Sequence, residues 1–221
     1  MKQSLFNPNK IECPGPLILN AKFWDSDYFN QLKKNAAYHF PLMGCDIVAF
    51  NDFTLVSGFL GYPQIITLLE FIKDFRQKDI YFLGTAGSLT DDISKSCVLS
   101  LKEMHASAIF DYFCEENVLD LEVIDHGEAR VGTGVSVDLI QRETVEWLRA
   151  QEAKKIDVVE MEIFPLRVFL DKPFPAIVVT TDRVSETGVK QFPDHKHFLK
   201  EFVRAYELIV RIINEKKSHS N

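Results

Sequence analysis

Apolar and polar positions along the chain follow two periods. Short apolar runs, many rich in β-branched residues, predict strands at residues 17–19, 46–50, 53–57, 79–83, 97–100, 121–124, 130–138, 158–159 and 177–181. Asn51-Asp52 supplies the turn that returns one strand beside the next. Between these runs the period lengthens to that of helices. One helix starts at Asp25 or Ser26 and runs to about Asn35. A second carries Ile65, Ile66, Leu68, Leu69 and Ile72 behind the turn 58–63. Residues 141–153 predict a third helix, and residues 164–170 a fourth that Pro173 and Pro175 end. Residues 194–214 form the last, with Phe198, Leu199, Phe202, Tyr206, Ile209, Val210 and Ile213 on one face. Residues 105–116 are an aromatic-rich connection without a readable period.

Strands alternating with helices argue for a three-layer α/β/α sandwich. With no internal repeat and no linker, residues 17–214 read as one domain. Residues 1–16 read as a polar, proline-punctuated arm and residues 215–221 as a polar tail. A net charge of −7 argues against a nucleic-acid or anionic-membrane surface and leaves small ligands open. Cys13, Cys45, Cys97 and Cys114 are widely spaced, which suits free thiols in a reducing cytoplasm. No run approaches membrane-spanning length, and the first 20 residues lack the apolar stretch of a signal peptide.

Two stretches carry candidate chemistry. Val158-Val159-Glu160-Met161-Glu162 and Val178-Val179-Thr180-Thr181-Asp182 each set a carboxylate at or just past the end of a strand. Ligands of open α/β sheets gather beyond the carboxyl ends of parallel strands. A carboxylate there can hold hydroxyls or pass a proton. The plain alternative makes Glu160 and Glu162 solvated acids at a helix start and Asp182 an N-cap. Gly84-Thr85-Ala86-Gly87-Ser88-Leu89 reads as a loop whose glycines admit a ligand or a second strand.

Taken in order, these pieces resemble the nucleoside phosphorylase/nucleosidase superfamily, closest in type to the methylthioadenosine/S-adenosylhomocysteine nucleosidases. The resemblance runs from Leu17 to Ile213. It rests on residues 56–61, the Gly-Thr-Ala-Gly loop, Val135-Ser136-Val137-Asp138, Val159-Glu160-Met161-Glu162 and Thr180-Thr181-Asp182. It implies a mixed central sheet and cleavage of the N-glycosidic bond of a purine nucleoside or thio-nucleoside, without a cofactor or metal. Glu162 is then the acid that holds ribose hydroxyls, with Glu160 beside it and Met161 packed on the sugar. Asp182 is the acid that protonates, or hydrogen-bonds, purine N7. Thr85, Ala86, Gly87 and Thr181 complete the wall. The resemblance also implies at least a dimer.

Water is favoured over phosphate as the nucleophile. The phosphorylases place an arginine two positions before the glycine loop, where this chain has Phe82, and no arginine precedes Arg76. A hydrolase needs a base for its water. The nucleosidases supply a glutamate after the first strand; here the candidates are Asp25 and Asp27, with Glu12 more remote, and both aspartates read equally as helix caps. The family's base-stacking phenylalanine is replaced by Leu139. A phosphorylase and a nucleoside-binding protein without catalysis stay open as alternatives. Arg183 reads as a surface partner of Glu186. His195 and His197 alternate at a helix start with no third ligand, which argues against a metal. Gly132-x-Gly134 lacks the rest of a dinucleotide fingerprint.

Overall fold

The structure is a computed structural model that describes residues 10–21, 25–59, 61–107, 116–125, 127–138 and 143–219. An alternating burial pattern builds its centre. In β1 (Leu17–Asn20), Leu17 and Leu19 face one core and Ile18 the other. In β5 (Ile80–Ser88) Ile80, Phe82 and Ala86 oppose Tyr81 and Leu83, and in β10 (Ala176–Ser185) Ala176 and Val178 oppose Ile177 and Val179. Strands buried on both faces need helices on both sides. α1 (Ser26–Lys34) and α5 (His195–Ser218) cover one face. α2 (Tyr62–Phe71) and α4 (Ile163–Leu170) cover the other. The result is a mixed sheet between two helical layers.

The remaining strands are β2 (Tyr38–Leu42), β3 (Cys45–Ala49), β4 (Thr54–Ser57), β6 (Val98–Ala106), β7 (Val118–Asp120), β8 (Arg130–Ser136), β9 (Val158–Glu160) and β11 (Gly188–Gln191). The path through the sheet is β11-β10-β6-β8-β9-β5-β1-β4-β3-β2, and β7 pairs with β6. β10 also pairs with β5, so β5, β10, β6, β8 and β9 close on themselves. Such closure brings the ends of distant strands around one hollow. α3 (Val145–Ala153) packs its Leu148 against Val135, Val137 and Val159 beside that ring. No helix of the described residues is long and apolar enough to cross a membrane.

Several expectations need correction. The glycine stretch 84–88 is part of β5 and not a loop. It pairs with β10 on one side, and Gly87 and Ser88 pair with β9 on the other. The strand leading to Asp182 does not stop there; it continues to Ser185 and turns into β11. Residues 121–124 are not a strand: pairing with β6 occupies residues 118–120 instead. Residues 10–16 are tied to the body. Ile11 bridges Ile72, Cys13 is buried, and the Pro16 carbonyl accepts from the Thr54 N–H at 2.9 Å. The closing helix runs on to Ser218, through most of the expected tail.

Candidate active site

Glu160 ends β9, and Ile163 starts α4 only three residues later. A chain that turns so sharply from strand to helix leaves N–H groups without helical partners. Glu160 takes them. One oxygen accepts from the N–H of Glu162 at 2.6 Å and of Ile163 at 2.8 Å, and the other accepts from the Ser136 hydroxyl. Ser136 in turn accepts from the Phe164 N–H at 2.9 Å. Glu160 is only 4 % exposed. Its carboxyl is pushed above the usual range by burial and then by Glu162, while its three donors pull the other way.

Glu162 is held from the far side. Gly61 stands before α2 at φ 77°, a conformation open to glycine, and its N–H donates to Glu162 Oε1 at 3.1 Å. Burial raises the Glu162 carboxyl, and the backbone N–H groups of Gly61 and Met161 oppose that rise.

Asp182 reaches the same hollow from β10. A register shift between Thr180 and Asp182 interrupts pairing with β5. An extra residue in one strand re-aims the side chains around it. The carboxyl then lies against Gly87, where an added Cβ would come within 3.1 Å of Asp182 Oδ2 and 3.0 Å of Val184. Thr181 donates its hydroxyl to Asp182 Oδ1. Burial raises the Asp182 carboxyl above its ordinary value, and that hydroxyl partly offsets the rise.

These groups line one cavity of about 370 Å³, the scale of a small-molecule site. β5 contributes Thr85, Ala86 and Gly87; β9 and its exit contribute Val159, Glu160, Met161 and Glu162; β10 contributes Thr181, Asp182 and Val184. Ala21, Phe59, Val137 and Glu143 close it on other sides, and Val189 and Gln191 of β11 stand at its edge. Among the described residues, the charged side chains on this wall are all carboxylic: Glu143, Glu160, Glu162 and Asp182.

The structure thus brings together Thr85, Ala86, Gly87, Glu160, Met161, Glu162, Thr181 and Asp182. It does not bring in Asp25 or Asp27. Asp25 caps α1, accepting from the Tyr28 N–H at 2.9 Å, and Asp27 is exposed in its first turn. Asp25 thus serves as a helix cap and Asp27 as an exposed first-turn acid. Glu12 bonds Lys73 at 2.7 Å on the surface. Leu139 lies outside the described residues. Arg183 pairs with Asp91, and Glu186 with Arg149 at 2.7 Å, so the expected Arg183–Glu186 pair is not made. His197 bonds the Ser96 carbonyl at 2.9 Å.

Sequence reasoning missed Glu143, Ala21, Phe59, Val189 and Gln191. The rule that ligands gather beyond strand ends would have found Ala21 after β1 and Phe59 after β4. Glu143 carries no such signal, since an acid beside a helix start is commonplace.

No family profile and no curated protein sequence matches the chain. Solved structures do. The methylthioadenosine/S-adenosylhomocysteine nucleosidase of Helicobacter pylori is similar at a TM-score of 0.68 and 16 % identity, covering 93 % of this chain and 100 % of its own. A futalosine hydrolase mutant from the same organism gives 0.68 and 16 %, over 91 % and 99 %. The purine nucleoside phosphorylase of Toxoplasma gondii, in complex with immucillin-H, gives 0.67 and 15 %, over 92 % and 93 %. Over nearly its whole length, the chain has the fold shared by nucleoside phosphorylases and nucleosidases.

Proposed function

We propose that the protein is a nucleosidase that hydrolyses the N-glycosidic bond of a purine nucleoside or thio-nucleoside. The observation that carries this reading is the convergence of Glu162 and Asp182 on one cavity walled by acids. Breaking the bond builds positive charge on the sugar and negative charge on the base. Glu162 holds the sugar hydroxyls and its charge favours the cationic sugar. Asp182 meets N7 and passes a proton to the ring as the bonding electron pair withdraws into it. Water adds to the sugar carbon and gives its proton to an acid of the wall. Help from one positioned acid is worth about 10²–10⁴ in rate.

The wall also supports hydrolysis over phosphorolysis. Phosphate is gripped by arginine forks or lysine charges. Among the described residues none lines this cavity, and four carboxylic side chains do. An anionic nucleophile would meet like charge at close range. The test is a panel of purine nucleosides incubated with and without phosphate. The reading expects free base and free sugar at a rate that phosphate does not raise. Sugar 1-phosphate that appears only when phosphate is added would make the protein a phosphorylase. Tight nucleoside binding with no base release would make it a binding protein.

A further inference from the structure

We propose that Ser136 and Glu160 are positioning residues that cap α4 in place of Glu162 and so keep the Glu162 carboxyl available to a ligand hydroxyl. The proposal rests on the nucleosidase reading for the identity of that hydroxyl, and its hydrogen bonds are independent of that reading. Glu162 stands at the cap position of α4. A side chain there commonly turns back to accept from the second or third N–H of its helix. Glu162 makes no such bond and accepts from the Gly61 N–H instead. The start of α4 is satisfied all the same. Its first N–H, of Ile163, donates to Glu160 at 2.8 Å. Its second, of Phe164, donates to the Ser136 hydroxyl oxygen at 2.9 Å. Its third residue is Pro165, which has no N–H to satisfy. The fourth, Leu166, already donates to the Glu162 carbonyl at 3.1 Å, as a helical residue should.

The two surrogate caps also hold each other. Ser136 ends β8, lies beside Glu160 in the pairing of β8 with β9, and donates its hydroxyl to the Glu160 carboxyl. Glu160 further accepts from the Glu162 N–H at 2.6 Å, so the backbone under Glu162 is fixed as well. Both side chains are buried. A carboxylate offers about four acceptor positions. Protein donors fill three of those on Glu160, which leaves it little for a ligand although it borders the cavity. Its influence on a sugar is exerted through Glu162. Without the Ser136 hydroxyl, the Phe164 N–H is stranded in a buried site. The chain relieves that cost by turning the Glu162 carboxyl onto its own helix, where the acid is lost to the ligand.

The test is calorimetry with a purine ribonucleoside and with its counterpart lacking the 2′ and 3′ hydroxyls. The proteins are the unaltered chain, Ser136→Ala, Glu162→Ala and the double variant, each checked for folding by a thermal scan. The unaltered protein is expected to prefer the ribonucleoside by about 10–100-fold, the range of a hydrogen bond to a charged group. Ser136→Ala is expected to weaken the ribonucleoside by about tenfold and its counterpart by less than about twofold. In the Glu162→Ala background the same change should cost less than about twofold more, since the acid it acts through is gone. Equal losses for both ligands, additive losses in the double variant, or no ribonucleoside preference in the unaltered protein overturn the proposal. Glu160→Gln keeps an oxygen for the two N–H groups and a donor for Ser136, so it should retain the preference. A folded Glu160→Gln that loses it would mean that Glu160 itself touches the sugar, which also overturns the proposal, and this variant decides alone if Ser136→Ala does not fold. If the binding pattern holds but no base is released, the positioning role stands and the nucleosidase reading falls. Base release without the pattern leaves the nucleosidase and removes the positioning role.

Discussion

The two ends of the cavity are built by opposite means. At the Glu160–Glu162 end, every carboxyl is anchored: backbone N–H groups and the Ser136 hydroxyl donate to Glu160, and Gly61 reaches across to Glu162. At the Asp182–Glu143 end, the Thr181 hydroxyl serves Asp182 alone, Glu143 has no hydrogen bond among the described residues, and the register shift in β10 sets where Asp182 points. The first end joins strand to helix and supports the fold, and on the proposed reading it also holds the sugar. The second is left underpartnered, with both carboxyls held above their ordinary values. A group poised to give up a proton cannot be surrounded by donors that favour its charged form. On the proposed reading the difference separates holding from proton transfer, and it can be broken at either end.

The largest effect is expected at the loose end. Asp182→Asn keeps the shape and removes the proton, so base release should fall about 10²–10⁴-fold while the melting temperature barely moves. Steady-state base release with a parallel thermal scan checks this; full activity in the variant would show that Asp182 does not deliver the proton. The next effect belongs to the anchored end. Glu160→Ala strands the N–H groups of Glu162 and Ile163 and the Ser136 hydroxyl in a buried site. A loss of about 3 kcal/mol is expected, the scale of breaking a buried charged network. Denaturant unfolding measures it, and a loss no greater than that of Glu143→Gln would erase the contrast between the ends.

The smallest effect is a slope with pH. Burial and Asp182 raise Glu143 from 4.5 to about 7, so the folded chain binds a proton there that the unfolded chain has released. The stability from this group is complete below about pH 4.5 and is lost as pH rises through about 7. Melting temperatures taken across that window should fall less steeply in Glu143→Gln than in the unaltered protein. Asp182, Glu160 and Glu162 are raised as well, so part of the slope remains. Equal slopes would mean that Glu143 is not held in its protonated form.

The same contrast governs what could be read from the residues alone. Both acids of the anchored end lie within five consecutive residues, 158–162, where a strand period gives way to acids and then to a helix. Short-range pattern exposes such a site. The helices are legible for the same reason, as the apolar face of α5 illustrates. The loose end is assembled from β10, from β5 across the sheet and from the chain before α3. No local period encodes the closure of β5 on β10, which turns an apparent glycine loop into paired strand. β11 is exposed along its whole length, and β2 is mostly so and carries Pro41. Neither therefore has the apolar alternation of a half-buried strand. Asp25 shows the reverse error: an acid after β1 invites a catalytic reading, yet its carboxylate caps α1.

The most direct test of the central claim is a crystal structure of the protein with a purine nucleoside analogue that cannot be cleaved. The account predicts the sugar hydroxyls on Glu162 and ring N7 on Asp182, in the cavity between β5, β9 and β10. An analogue bound the other way round, or seated outside this cavity, would contradict it.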